Sequence, residues 1–234
     1  MTFTKYNSLT NLNANGGSFL NKVNFSPISK EVFCVVEKLH GANVTIMIDP
    51  QGEVEFYRRH GKFDDSFFNA SQVVPYDLEL LEVLDKIRIL VQRIHPEATS
   101  VNFHGEYIGG SYPHKGVERN PHASNIQANN AVYYTPNNTV LFFDISVDEG
   151  EKRTFLSVQT AEDVFDCFSP DRVLYLSPHF QGSLAECIEF SDKTKAADSE
   201  AYKLLGLSEY PIEPNMREGN IIRPMDNDEF LGNS

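Results

Sequence analysis

The run Glu37-Lys38-Leu39-His40-Gly41-Ala42-Asn43 sets a primary amine at the end of one apolar stretch, follows it with a glycine turn, and leads into a second apolar stretch. A lysine placed this way projects into the concave side of a hairpin. Desolvation or a nearby cation lowers an amine's pKa and makes it a nucleophile, and the flanking Glu37 and His40 are positioned to tune this one. Alone, a K-x-x-G is more often a surface lysine ahead of a turn. Other stretches carry chemistry that suits the same site. Arg58-Arg59-His60-Gly61-Lys62 offers guanidinium forks, which pair bidentately with phosphate oxygens, although a charge run by itself is usually solvated. Phe103-His104-Gly105-Glu106 ends a strand on a carboxylate beside a glycine, able to face a ribose hydroxyl or a hydrated metal, or to be an ordinary strand end. Phe142-Phe143-Asp144 closes another strand with aromatics, whose default place is the core and whose alternative is stacking on a base. Arg217-Glu218-Gly219-Asn220-Ile221-Ile222-Arg223-Pro224 sets a carboxylate and two cations around one short strand. Each is weak singly; order and spacing make them informative.

These groups need elements to hold them. Glu31 to Val36, Asn43 to Asp49 and Glu53 to Tyr57 read as strands, the last two joined as a hairpin through Asp49-Pro50-Gln51-Gly52. Leu80, Leu84, Ile87, Val91 and Ile94 recur at threes and fours, which predicts a helix over Tyr76 to Ile94 stopped by His95-Pro96. Ser100 to Ile108 alternates as a strand. A second hairpin is expected from Ala131 to Thr135 and Thr139 to Val147. Beyond Gly150 the pattern predicts helices at Ala161 to Phe168, Leu184 to Phe190 and Thr194 to Leu205, and strands near Val173 to Leu176 and Gly219 to Arg223. The stretch from Phe190 to Tyr210 reads as a solvated helical insert, the first thirty residues as an irregular lead-in, and the loop with His114, Lys115, Arg119 and His122 as either solvated or touching phosphates. Hairpins interleaved with helices in no strict alternation give an α+β fold with mainly antiparallel sheets. No G-x-x-x-x-G-K-S/T and no G-x-G-x-x-G after a strand is present, which weighs against P-loop and dinucleotide-binding folds.

Composition bounds the rest. The chain has 234 residues, 41% hydrophobic and 23% charged, enough to bury a core. A formal charge of -13 excludes a protein that coats nucleic acid through a basic surface. The charge is uneven, about -2 over residues 1 to 125 and -11 over the remainder, so the first half can hold a cationic pocket. Cys34, Cys167 and Cys187 form no C-x-x-C pair, which fits a cytoplasmic or other reducing intracellular compartment, and no segment approaches the roughly 18 apolar residues of a membrane span.

Taken in order, the motifs resemble those of the covalent nucleotidyltransferases, and within them the bacteriophage RNA ligase 2-type branch that includes kinetoplastid RNA-editing ligases. Lys5-Tyr6-Asn7-Ser8-Leu9 is similar to the branch's opening K-Y-x-S-L. Its E-K-x-H-G-x-N is met by Glu37, Lys38, His40, Gly41 and Asn43, the histidine separating it from the K-x-D-G of DNA ligases and GTP-using capping enzymes. Its next arginine falls on Arg59, its F-G-E on His104-Gly105-Glu106 with His in place of Phe, its aromatic-Asp on Phe143-Asp144, and its E-G-x-V-x-K/R-P on Glu218 to Pro224.

The resemblance implies a ligase-like nucleotidyltransferase fold, mainly antiparallel sheets flanked by helices, forming a single adenylyltransferase domain over the chain. It implies that Lys38 takes AMP from ATP, with His40 and Asn43 assisting, passes it to an RNA 5′-phosphate, and that a 3′-hydroxyl then seals the strand. Phe143 and Ile221 would sandwich the adenine, the backbone of Glu37 and Leu39 would read its edge, and Glu106 would hold the ribose. Arg59, Asn43, Glu218 and Arg223 would complete the nucleotide site, with Glu106 and Glu218 holding Mg²⁺ or Mn²⁺. The implied partners are ATP and RNA ends or a nicked duplex, with no membrane, and the expected state is a monomer. One departure stands out: the family's K-x-K strand and C-terminal domain have no counterpart before Ser234. The alternative is therefore a non-catalytic or partner-dependent module that binds nucleotides or RNA ends.

Overall fold

The structure, a computed structural model, describes residues 5–6, 31–126, 132–169, 171–172 and 174–226. Most of the opening segment and the residues after Asp226 lie outside the described residues, as do Ala131 and Val173 of two predicted strands. The chain runs through β1 (Phe33–Glu37), β2 (Ala42–Ile48), β3 (Val54–Arg58), β4 (Gly61–Lys62), α1 (Ala70–Val73), a 3-10 turn (Val74–Tyr76) and α2 (Leu78–Ile94). It continues through β5 (Ser100–Gly109), β6 (Asn138–Glu149), β7 (Lys152–Phe155), α3 (Val158–Phe168), β8 (Phe180–Gly182), α4 (Leu184–Thr194) and β9 (Asn220–Pro224). The strands make two antiparallel sheets, one of six strands in the order β4-β3-β2-β5-β6-β7 and one of three in the order β8-β1-β9. This is the α+β class with antiparallel sheets that the sequence predicts.

The large sheet buries Val44, Ile46, Ile48, Phe103 and Ile145 against Leu80, Leu84, Ile87 and Val91 of α2. Each such side chain contributes about 1.5–3 kcal/mol when fully buried. The helix starts where Asp77 accepts a hydrogen bond from Leu80 N at 3.0 Å and anchors Arg172 by two bonds of 2.9 and 2.7 Å. The small sheet packs Phe33 and Val35 on Cys187 of α4. Between the sheets, Cys34, Val36 and Leu39 meet Ile108, Leu141 and Tyr134. All three cysteines are free thiols. No described helix is long and apolar enough to cross a membrane.

The β2–β3 hairpin forms as expected, with Asp49 Oδ1 accepting from Gln51 N and Glu53 N and Gly52 at φ +88°. Three expectations are corrected. Residues 132–135 are not a strand, and β6 pairs instead with β5 along ten residue pairs and with β7. Tyr175 makes a single parallel bridge to Phe142 rather than a strand. The stretch around 194–205 is not one solvated helix: past Thr194 it turns helical only from Ala201, and part of it is buried. Ser199 and Ala201 are each 1% exposed, Asp198 bridges to Met216, and the turn Lys203–Leu207 is kinked at Gly206 with φ +80°. Its polar composition conceals that its backbone and hydroxyls are used internally.

Gly41 lies where the chain crosses from the small sheet to the large one. A Cβ there would stand 2.5 Å from Tyr107 O and 2.7 Å from Glu106 Cγ. Gly41→Ala is expected to lower unfolding stability by about 1–3 kcal/mol, because a backbone carbonyl cannot step aside; urea denaturation of the two proteins checks it.

Candidate active site

β1 and β9 pair antiparallel with Glu37 opposite Asn220, and Lys38 N donates to Gly219 O at 2.9 Å just beyond the ladder. That register brings Lys38 beside Glu218, residues separated by 180 positions, and Lys38 Nζ forms an ion pair with Glu218 Oε1. Both side chains remain about one-third exposed. The second oxygen of Glu218 lies 3.3 Å from His40 Nδ1, so one carboxylate links the amine and the imidazole. The backbone N–H of His40 donates to the buried Tyr134 hydroxyl at 2.9 Å, which fixes the turn.

β2 then carries Asn43 opposite Glu106 on β5, and Asn43 Nδ2 reaches Gly105 O at 3.5 Å. Burial and the neighbouring charge of Glu218 push the Glu106 carboxyl up to about 8, against the opposing pull of Lys38, the Gly41 N–H and Arg59. The two carboxylates thus repel and share a cation. Arg59 follows β3 on the same end of the sheet and is exposed.

Behind this opening lies a buried charge cluster. Arg223 donates to Phe143 O at 2.8 Å, Asp144 Oδ2 at 3.2 Å and the Tyr175 hydroxyl at 3.3 Å. Burial opposes its charge, but Asp144 and the tyrosine hydroxyls hold it protonated. Burial raises the Asp144 carboxyl, and Arg223 and a 3.0 Å hydrogen bond from Tyr6 work the other way. The Tyr6 ring stands 5.3 Å from Phe143 and 4.8 Å from His104. Because side chains alternate along a strand, Ile221 shares the face of β9 that carries Arg223, toward Phe143. Asp144 Oδ1 and Arg223 Nε are buried with no hydrogen-bond partner among the described residues.

The sequence-predicted residues therefore fall into three groups. Lys38, His40, Asn43, Glu106 and Glu218 converge, with Arg59 beside them. Phe143, Ile221 and Arg223 stand on the inner wall, where Arg223 is held by its three internal partners. Arg58 likewise pairs with Asp64. Glu37 and Leu39 point away from the amine. Glu37 is 1% exposed and accepts from Ser199 Oγ at 2.5 Å and Glu200 N at 3.0 Å, so its carboxylate holds the strand and does not tune Lys38. Leu39 is in the core.

Several functional positions escape sequence reasoning. Tyr6 has a motif but no role there, Asp144 reads as a core terminus, and Ser199 sits in a stretch with no motif. Ser199 N donates to Asn215 O at 2.7 Å, and Asn215 N to Asp198 Oδ1 at 2.8 Å, so this stretch ties the strand of Lys38 to the approach of Glu218.

The pattern that defines the RNA ligase family matches residues 31–233. The chain belongs to the RNA ligase family. It is 27% identical over 222 residues to the mitochondrial RNA-editing ligase 1 of Trypanosoma brucei brucei, covering 85% of this chain and 46% of that one. Among solved structures, a Naegleria gruberi RNA ligase mutant with ATP and Mn superposes with a TM-score of 0.56 at 16% identity, covering 87% of this chain and 48% of that chain. Another Naegleria mutant, with AMP and Mn, gives a TM-score of 0.57 at 16% identity, covering 87% and 49%. This RNA ligase chain spans about half the length of the relatives it matches.

His104, where the RNA ligase motif has Phe, is fully buried, bonded to Thr45 Oγ1 at 3.0 Å and Ser146 Oγ at 2.8 Å, and burial holds it well below the usual histidine range. It fills an aromatic slot as a neutral ring. The Asp144–Arg223 pair yields the sharper test. Asp144→Asn leaves a buried guanidinium uncompensated and is expected to cost about 3–5 kcal/mol, while adding Arg223→Met recovers a large part. Equilibrium urea unfolding of the single and double variants measures both.

Proposed function

We propose that this chain is the adenylyltransferase module of an ATP-dependent RNA ligase, with Lys38 as the covalent acceptor of AMP. The observation that carries the reading is the Lys38–Glu218–His40 linkage at the opening between the sheets, with Glu106 facing it and the Asp144–Arg223 wall behind.

The wall suits a nucleotide base. The side chains of Phe143 and Ile221 offer apolar contact on this wall, Phe143 as a flat ring, and the Asp144–Arg223 pair fixes their strands from behind. Lys38 Nζ, relieved of its proton by the Glu218 carboxylate that touches it, attacks the α-phosphorus and expels pyrophosphate. His40, on the other oxygen of Glu218, is the onward station for that proton. A phosphoramidate on Lys38 remains; an RNA 5′-phosphate oxygen then attacks its phosphorus, the P–N bond breaks, and AMP passes to the RNA end as the Lys38 amine is released. Asn43 and Arg59, at the same end of the large sheet, are placed to orient phosphate oxygens.

A divalent cation fits this donor set in one way. Among the described residues no group of three or more His, Cys, Asp or Glu converges. Glu106 and Glu218 would thus give Mg²⁺ or Mn²⁺ at most two carboxylates, leaving its other positions to water and phosphate oxygens, as Mg²⁺ sites commonly do. Bound there, the ion offsets phosphate charge. RNA ends as the second substrate follow from the family and from the names of its relatives.

Incubation with α-labelled ATP and Mg²⁺ is expected to leave label on the protein through denaturing electrophoresis. Lys38→Ala should abolish it and Glu218→Gln should slow it by about 10²-fold or more. Label that survives in Lys38→Ala would overturn the assignment, and AMP binding without any label in the unaltered chain would mark a binding module instead of an enzyme.

A further inference from the structure

Beside the Lys38–Glu218 pair the surface opens into a groove of about 420 Å³ whose lining includes His40, Val132, Pro214 and Met216. Its rim is apolar where solvent-facing surface is usually polar. Met216 is 57% exposed and Pro214 is also exposed. His40 Nε2 is buried and has no hydrogen-bond partner among the described residues. The polar residues nearby are turned inward, Asn215 onto Tyr133 O at 2.9 Å and Arg217 onto Asp198 O at 2.9 Å. His40 apart, none of these residues is used by the transfer of AMP to Lys38.

The chain that lines the groove runs back from Pro214 to a second aromatic surface. Four residues upstream, Tyr210 accepts a 2.6 Å hydrogen bond on its carbonyl from Tyr112, and its ring stands 5.4 Å from that of His114. The loop that meets it, residues 110–126, leaves β5 just past Glu106 and holds Lys115 and Arg119. Both are exposed and in no ion pair among the described residues, whereas Lys62, Lys86, Arg153, Lys193 and Lys203 all have carboxylate partners. Arg93 and Lys152 likewise make no ion pair among the described residues, so what sets Lys115 and Arg119 apart is that they share one loop beside Tyr210. Glu118, Glu209, Glu213 and Glu218 are the carboxylates exposed along the same path.

The loop is also built to keep its shape. Ser124 N donates to Asn138 Oδ1 at 2.8 Å, Asn120 Nδ2 to Asn137 Oδ1 at 2.9 Å and Asn69 Nδ2 to His122 O at 3.2 Å. Gly110, at φ +85°, lets the chain pass where a Cβ would stand 1.8 Å from Ser124 O. Its ordering entropy is thus spent in folding and not on binding.

We propose that groove and loop together form a track for one single-stranded RNA end. Flat apolar and aromatic surface next to the nucleophile, followed by cations farther out, matches a chain of bases strung on phosphates: Met216, Pro214 and the Tyr210–His114 pair take bases, and Lys115 and Arg119 take phosphates. The track delivers the strand whose terminal phosphate accepts AMP, and to that extent it rests on the lysyl-AMP reading.

The test uses the full chain and a 5′-phosphorylated single-stranded RNA oligonucleotide, with binding followed by fluorescence anisotropy over a range of salt and without ATP. Lys115→Glu with Arg119→Glu is expected to weaken binding roughly 10-fold at low salt and to flatten the log–log salt slope by about 1.4, at about 0.7 for each phosphate no longer neutralised. Met216→Ala should weaken binding and leave the slope unchanged. Autoadenylation by labelled ATP, which needs no RNA, shows that the charge-reversed protein is folded. Unchanged affinity and slope in the double variant, no binding by the unaltered chain, or a defect confined to a nicked-duplex probe would each overturn the track. RNA binding that responds as expected in a chain that takes no label would uphold the track and sink the lysyl-AMP reading instead.

Discussion

The pairing of β1 with β9 is the constraint on which the site depends. Its register, Glu37 opposite Asn220 and Lys38 bonded to Gly219, leaves no freedom in where the amine meets the Glu218 carboxylate. An ion pair between groups about one-third exposed is worth little as stabilisation. Its value is positional. The ladder holds both backbones, the carboxylate spans amine and imidazole, and a proton has a short path between three named atoms.

Two buried polar systems keep that register from slipping, and they solve the problem differently. On one side Glu37 is satisfied by the Ser199 hydroxyl and the Glu200 N–H, and the same stretch is pinned to Asn215, so a single irregular segment braces both strands of the pair. On the other side Asp144 and Arg223 are charges taken out of water, stabilised by each other and by Tyr6 and Tyr175. Burying an ion pair seldom adds stability over a packed apolar core. Here the pair leaves one oxygen and one nitrogen without hydrogen-bond partners among the described residues.

Much of this architecture is legible in the amino-acid sequence. The β2–β3 hairpin, α2 and β5 follow from turn chemistry and from periods of two and of three to four, which are local signals. The convergence of Lys38, His40, Asn43, Glu106 and Glu218 is legible only as a resemblance, because no local pattern says that residues so far apart share one opening. Composition is what misleads. The stretch after Thr194 is rich in Lys, Asp, Glu and Ser and so reads as solvated, yet its hydroxyl and amide groups are the partners of a buried carboxylate. Arg223 and Arg58 read as cations for a ligand and are already neutralised by Asp144 and Asp64. Sequence shows which charges exist, and only the fold shows which are spent.

The separation of 180 residues between Lys38 and Glu218 also bears on how the protein comes into being. Contacts so distant in the chain form late, since loop closure must be completed before they return any energy. During synthesis the hairpin and α2 can assemble while Lys38 still ends an unpaired strand, with neither Glu218 nor Arg223 beside it. β9 supplies Glu218, Ile221 and Arg223 in one step as it docks. The Lys38–Glu218–His40 linkage therefore arrives only with the closing strand of the small sheet.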